Sequence, residues 1–384
     1  MEGWVYSALW LLFAGSLLLQ LSRAELLLTP ALLPPLGLLA LLQYLCQAYL
    51  PLPLGAILAT AGCLAWRCAA PRRRLPVAGK AIFITGCDSG FGKQAAHHLD
   101  SMGFKVFASV LDLESAGAKE LRQSCSSRLT LLQMDLTKPE DIQKAQKLVQ
   151  PQTASTGLWG LVNNAGLDDI IADAELSPLC EFHTCMNVNF FGTLELTKAL
   201  LPLLRATQGR IVTISSPAGD MPFPCLAAYG TSKAALTLLM DTLRSELEPW
   251  GVKVSVILPG YFKTRTTCDP NYWQEKKEQL LAHLPAELLQ AYGEDYIHEI
   301  NKQFVKFMKT ANEDLSLVVN SITDALLSAS PATRYFPGQG MWLIYFIHHY
   351  LPSSIRDLFL KAFFIKQKQP RALQPKPQKD IKKE

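Results

Sequence analysis

Residues 80–102 constrain the fold of this chain more than any other stretch. Lys80-Ala81-Ile82-Phe83-Ile84 is a short, mostly apolar run suited to a buried parallel strand. It leads directly into Thr85-Gly86-Cys87-Asp88-Ser89-Gly90-Phe91-Gly92-Lys93 and then a helical pattern to Met102. Strand, glycine turn and helix in that order form a phosphate-binding unit. Gly86 permits the tight turn, Gly90 lets the backbone approach a pyrophosphate, and Gly92 lets the helix pack close to the strand. The helix N-terminus then presents unpaired amide donors to an anion. From Lys80 to Val256 apolar strand runs alternate with helical stretches, with strands predicted at 80–84, 105–111, 129–134, 158–162, 210–215 and 252–257. A shorter seventh strand is placed near Thr333-Arg334-Tyr335-Phe336. That alternation predicts an α/β, Rossmann-type doubly wound parallel sheet.

The second predicted strand ends at Asp112, about 20 residues beyond the glycine loop, where a carboxylate can accept the ribose hydroxyls of a dinucleotide. It would also repel a 2′-phosphate. No Arg or Lys lies in the glycine loop before Lys93, nor after Asp112 until Lys119, so NAD is favoured over NADP.

Tyr229 and Lys233 stand four residues apart in a helical stretch, Leu226–Leu239, and share one helix face. An ammonium near a phenol favours the phenolate and lowers its pKa, which suits the tyrosine to act as a base. Ser216, thirteen residues earlier, follows the strand-like run Gly209 to Ser215 and can bond a carbonyl or alcohol oxygen. Ser215 competes for that role. Adjacent strand residues point to opposite faces, and the spacing to Tyr229 favours Ser216.

These ordered motifs resemble the short-chain dehydrogenase/reductase family, in its membrane-bound steroid and retinol branch. The resemblance runs from about Pro76 to Ser330 and rests on Thr85 to Gly92, Asp135, Asn163-Asn164-Ala165-Gly166, Asn189, Ser216, Tyr229, Lys233 and Pro259-Gly260. It implies Asn189, Ser216, Tyr229 and Lys233 as the catalytic set, with Asn189 positioning a water that links Lys233 to solvent. It implies cofactor contacts from Gly86, Asp88, Ser89, Gly90, Phe91, Gly92, Asp112, Asp135, Asn163, Ala165, Gly166, Tyr229, Lys233, Pro259 and Thr264. Substrate contacts are expected from Ser216, Phe223, Tyr229 and Tyr261, with Phe223 standing where the resemblance leads one to expect tyrosine. The insert from Tyr261 to Asp314 is the expected wall of the substrate site. The implied reaction is NAD-dependent oxidation of the 11-beta-hydroxyl of a glucocorticoid. Retinol or 17-beta-hydroxysteroid oxidation and a non-catalytic membrane scaffold are the competing readings. A homodimer through the helices carrying the catalytic residues is a further implication of the resemblance.

The ends of the chain differ from its middle. Between Leu26 and Trp66 there is no Asp, Glu, Lys or Arg, and Trp4 to Leu21 is also apolar. About 20 apolar residues span a bilayer, so residues 1–75 are expected to anchor the protein in membrane lipid with two to three spans. A cleaved signal peptide would need an early basic residue, and Glu2 is the only early charge. Arg67, Arg72, Arg73 and Arg74 follow the last apolar segment, and positive charge marks the cytoplasmic flank. The branch resembled implies the endoplasmic reticulum membrane, with the catalytic region facing the cytosol. That region is expected over 76–340. An aromatic-rich segment follows over 341–365; covering the substrate pocket, resting on the membrane and plain core packing are all open for it. The tail 366–384, with seven basic and two acidic residues, is expected to be disordered. A net charge of +4 is too small to argue for nucleic acid. Nine scattered cysteines fit a reduced compartment better than a disulfide framework, and neither Cys180 and Cys185 nor the pairs His97-His98 and His348-His349 make a metal site.

Overall fold

The computed structural model describes residues 7–15, 33–69, 73–168, 170–264, 268–365 and 368–374. The chain divides into two compact units, Met1–Pro76 with Leu327–Pro331, and Val77–Leu326 with Ala332–Glu384.

The first unit contains helix α1 (residues 7–15), α2 (Leu33–Tyr49) and α3 (Leu52–Ala69). Pro51 breaks the chain between α2 and α3, and the two helices pack against each other around buried Leu39, Cys46 and Ala59. Their outer faces keep apolar residues in the open, among them Leu38, Tyr49 and Ile57. Among the described residues no helix is long and apolar enough to cross a membrane. Residues 16–32, part of the expected spans, lie outside the described residues, as do residues 366, 367 and 375–384 of the expected tail.

The second unit is built on a seven-stranded sheet in the order β3-β2-β1-β4-β5-β6-β7, parallel throughout. The strands are β1 (Ala81–Ile84), β2 (Lys105–Val110), β3 (Leu129–Gln133), β4 (Gly160–Asn163), β5 (Arg210–Ile214), β6 (Lys253–Ile257) and β7 (Arg334–Tyr335). β1, β4 and β5 are buried along their whole length, which is why they read as unbroken apolar runs rather than as alternating ones. The connecting helices are α4 (Gly90–Ser101), α5 (Ala116–Ser124), α6 (Pro139–Gln152), α7 (Leu179–Met186), α8 (Thr193–Ala206) and α9 (Ala227–Glu246). α7 passes into α8 through a single π-helical segment, Asn187–Gly192. The strand order reverses between β1 and β4, and the loops after those two strands open a crevice at that point.

Most strand predictions hold to within a residue. β4 starts two residues later than predicted: Leu158 N bonds out of the sheet to Leu203 O, and Trp159 already bonds its neighbours, N to Ala81 O of β1 and O from Arg210 N of β5, just before the paired register at Gly160. α9 runs to Glu246, seven residues beyond the predicted end at Leu239.

After β6 the insert forms α10 (Pro270–His283), α11 (Ala286–Tyr292) and α12 (Glu294–Met308), followed by α13 (Ser316–Leu327). The aromatic segment forms α14 (Met341–Tyr350) and α15 (Ser353–Phe363). The side chains of Tyr296, Ile300, Phe304 and Met308, one turn apart on α12, are all buried in the main core.

Candidate active site

Gly86 and Gly92 shape the floor of the crevice. Gly86 has φ of +68°, and a Cβ there would stand 2.9 Å from Ala165 Cα. A Cβ on Gly92 would come within 2.3 Å of Gly86 O and 2.4 Å of Asn164 Nδ2, so only glycine lets α4 begin this close to the turn. Asn164 braces the same turn, donating from Nδ2 to Thr85 O (2.8 Å) and Gly86 O (3.0 Å). The Asp88 carboxylate accepts from Leu111 N with both oxygens at 3.0 Å and from Asp112 N at 3.3 Å. It therefore ties the glycine turn to the end of β2 and places Asp112 beside it. The loop after β6 folds over the turn from the other side, where Phe262 meets Phe91 edge to face at 5.5 Å.

The hydroxyl group pair comes from two elements pressed together. Ser216 lies in extended backbone just past β5, and its Oγ accepts from Ala218 N at 3.2 Å. The short turn Pro217–Gly219 that follows lies directly on α9; a Cβ on Gly219 would stand 2.7 Å from the carbonyl carbon of Lys233. This contact brings Ser216 close to the Tyr229 hydroxyl, near enough to act on its ionisation. Ser215 points the other way, into the core, with Oγ 2.7 Å from Thr237 Oγ1 and donating to Lys233 O at 3.3 Å. Alternation of the extended backbone thus leaves Ser216, not Ser215, with its hydroxyl on the Tyr229 side.

Lys233 is buried. Its Nζ donates to Ile214 O at 3.0 Å and lies 5.8 Å from the centroid of the Tyr229 ring. Burial brings its pKa down to about 8, against the opposing pull of Cys185 and Asp168. Burial likewise drives the Tyr229 phenol upward, Asp168 adds to the rise, and the neighbouring Ser216 hydroxyl opposes it. Burial thus raises the phenol where the four-residue spacing predicts a lowering. Tyr229 is only half-buried as a surface, because part of its ring lines the cavity.

The crevice and the space above α9 form one cavity of about 790 Å³. Of the predicted residues, Gly86, Asp88, Ser89, Gly90, Phe91, Asp112, Asp135, Ala165, Gly166, Ser216, Phe223, Tyr229, Lys233, Pro259, Tyr261 and Thr264 all line it. Gly92, Asn163 and Asn189 do not. Asn163 is buried in the core, with Nδ2 donating to Thr197 Oγ1 (3.2 Å) and Thr213 Oγ1 (3.3 Å), and its neighbour Asn164 is the one that reaches the cavity. Asn189 sits in the π-helical segment and is fully buried. Its Oδ1 accepts from Leu167 N (2.8 Å), while Nδ2 donates to Leu167 O and Ser232 Oγ, both 2.9 Å. That side chain clamps the loop after β4 to α9, and its Oδ1 and Lys233 Nζ stand 3.3 and 3.0 Å from where a Cβ on Gly166 would lie.

Several lining residues escaped sequence reasoning. Asp168 follows the Asn163–Gly166 motif by two residues and had no signal of its own. Trp273, Phe304 and Met308 come from the insert, where only the segment as a whole was assigned to the wall. Phe364 comes from the aromatic C-terminal segment. It packs edge to face on Phe223 (5.3 Å) and Phe307 (5.1 Å) and stacks along Tyr261 at 6.3 Å. Such pairs contribute roughly 0.5–1.5 kcal/mol each beyond their area burial. The cavity therefore carries glycines, backbone and acids on one side and a set of aromatic rings on the other, with Ser216, Tyr229 and Lys233 also in its wall. Among the described residues no group of three or more His, Cys, Asp or Glu is placed to hold a metal ion.

A parallel sheet of this order, a glycine turn at its switch point and a Ser–Tyr–Lys set define an oxidoreductase of the short-chain type. The chain belongs to the short-chain dehydrogenase family, whose model, described as short chain dehydrogenase, matches residues 80–275. It is 60% identical over 378 residues to 11-beta-hydroxysteroid dehydrogenase type 2 of Bos taurus, covering 97% of this chain and 93% of that one. It is 44% identical over 299 residues to estradiol 17-beta-dehydrogenase 2 of Mus musculus, covering 78% of each. Among solved structures, a short-chain dehydrogenase from Streptomyces avermitilis matches with a TM-score of 0.55 at 25% identity, over 73% of this chain and 96% of that one. The family uses a nicotinamide dinucleotide, and the glycine cradle at Gly86 to Gly92, where a side chain at Gly92 would clash, fits its pyrophosphate.

Proposed function

We propose that this protein oxidises the 11-beta-hydroxyl of glucocorticoids of the cortisol and corticosterone type to the 11-ketone, with NAD. The observation that carries this reading is 60% identity across 97% of the chain to an 11-beta-hydroxysteroid dehydrogenase. The aromatic lining of Phe223, Tyr261, Trp273, Phe304 and Phe364 suits a large apolar ring system. Asp112, held at the end of β2 by Asp88, supports NAD over NADP because a carboxylate there repels a 2′-phosphate.

Gly86 to Gly92 and the start of α4 would hold the dinucleotide, which supplies the hydride acceptor when bound. Ser216 orients the substrate hydroxyl. Tyr229 removes the hydroxyl proton, and Lys233, once protonated beside it, stabilises the phenolate that does so. Asp168, close enough to act electrostatically on both, favours the protonated lysine. The aromatic side excludes water from the reacting alcohol.

We also read the uncharged stretch Leu26 to Trp66 as an anchor in the endoplasmic reticulum membrane. Arg67 and Arg72 to Arg74 support a cytosolic catalytic unit. Phe191 and Leu238, exposed on the π-helical segment and on α9, support a homodimer through these elements.

Membranes containing the protein should form NADH with cortisol in preference to NADPH, and in preference to estradiol or retinol. Preferential oxidation of estradiol would keep the chemistry and replace the substrate, in line with the 44% relative. Cofactor binding without turnover of any alcohol would leave a non-catalytic scaffold.

A further inference from the structure

The strongest unassigned feature is a half-buried carboxylate that joins the catalytic helix to the substrate wall. Asp173 lies in the loop after β4, next to buried Ile171 and Ala172. Its Oδ2 accepts from Tyr296 Oη at 2.5 Å, and its Oδ1 accepts from Cys225 Sγ at 3.3 Å. Both donors sit at positions with leverage. Cys225 immediately precedes Leu226, the N-cap of α9, and stands two residues after the cavity-lining Phe223. Its φ is +66°, a left-handed conformation that a non-glycine residue holds only when its surroundings enforce it. Ala172 N also donates to Cys225 O at 3.2 Å, so the loop grips this residue twice. Tyr296 is the first member of the buried α12 stripe that ends at Phe304 and Met308, both in the cavity wall. Anchoring its hydroxyl fixes the rotation and axial position of that helix. One turn away, Tyr292 Oη donates to Glu175 Oε2 at 2.6 Å, a second bond from the same loop to the same helical pair.

We infer that Asp173 is a positioning residue for substrate specificity: its carboxylate clasps the strained Cys225 turn and α12 together and thereby sets the gap between Phe223 and Phe304 in which the substrate lies. It touches neither the cavity nor the reacting groups, so its loss changes the fit of the substrate rather than proton transfer. The inference takes its substrate from the steroid reading above, while the clasp itself does not depend on it.

The test uses full-length protein in membranes and the variants Asp173→Ala, Tyr296→Phe and both together. Tyr296→Phe removes only an oxygen and keeps the core ring, so it decides the matter where Asp173→Ala fails to accumulate. Each single variant should raise the KM for cortisol about tenfold with kcat little changed, the signature of lost uniform binding, while the KM for NAD stays within about twofold. The double variant should be no worse than Asp173→Ala alone, because that change already removes the bond to Tyr296. Alkylation of Cys225, followed by mass spectrometry, should become faster in Asp173→Ala. Unchanged cortisol KM in Tyr296→Phe, equal losses toward NAD and cortisol, or strictly additive effects would overturn the proposal. Should the native protein not oxidise cortisol, faster Cys225 alkylation still supports the clasp and the steroid reading is the one that falls; unchanged alkylation overturns the clasp.

Discussion

Lys233 Nζ lies 5.8 Å from the centre of the Tyr229 ring and is held there by the carbonyl of Ile214 at 3.0 Å. The bond to Ile214 fixes the lysine to the end of β5, so the spacing of the pair is set by helix and sheet together.

Replacing Tyr229 with phenylalanine removes the proton acceptor and leaves the ring packed. Turnover should drop by at least about 100-fold, the usual share of a general base, while NAD affinity measured by calorimetry stays near native. Normal turnover would sink the mechanism.

The lysine has a pH signature. Lys233 is lowered to about 8 from an ordinary 10.5, so above pH 8 the unfolded chain binds the extra proton and stability rises with pH. Above about 10 the direction reverses, because buried Tyr229 stays protonated while its unfolded counterpart ionises. Chemical denaturation of cofactor-free protein should show this contribution as a difference, the native protein gaining roughly 2–3 kcal/mol relative to a Lys233→Met variant between pH 8 and 10, at 1.36 kcal/mol per unit, while buried Cys87 pulls both the other way.

Gly92→Ala puts a methyl group 2.3 Å from Gly86 O. The turn must open, at a cost of roughly 1–3 kcal/mol, and dinucleotide affinity should fall with it. A variant with native melting temperature and native NAD affinity would show that the contact is slack.

Asp112 reaches the cavity at the end of β2, with its Oδ1 accepting from Glu114 N at 2.9 Å. Asp112→Ala removes the repulsion of a 2′-phosphate. The ratio of kcat/KM for NAD over NADP should fall about tenfold or more, since about 1.4 kcal/mol corresponds to a factor of ten.

Phe364 joins four other rings at the apolar side, Phe223, Tyr261, Phe304 and Phe307. Phe364→Ala should raise the KM for cortisol more than that for NAD and lower the melting temperature, as large-to-small changes in cores cost roughly 3–5 kcal/mol. Phe364→Leu should recover most of the stability.

Local order along the chain settled a good deal. The run of apolar strands, the glycine turn after β1 and the four-residue step from Tyr229 to Lys233 are all short-range patterns, and each follows from backbone geometry that acts within a few residues. They were enough for the parallel sheet, the phosphate cradle and the placement of Ser216, Tyr229 and Lys233. Tertiary packing alone decided the rest. Which of Asn163 and Asn164 faces the cavity depends on the exact end of β4. The partners of the Asn189 amide, Leu167 and Ser232, come from the loop after β4 and from α9. Burial raised Tyr229 because many surrounding atoms exclude water, a property no spacing encodes. Phe364 meets Phe223, and Asp173 meets Tyr296, across more than a hundred residues of chain. Such contacts exist only once the sheet has gathered its loops at one end.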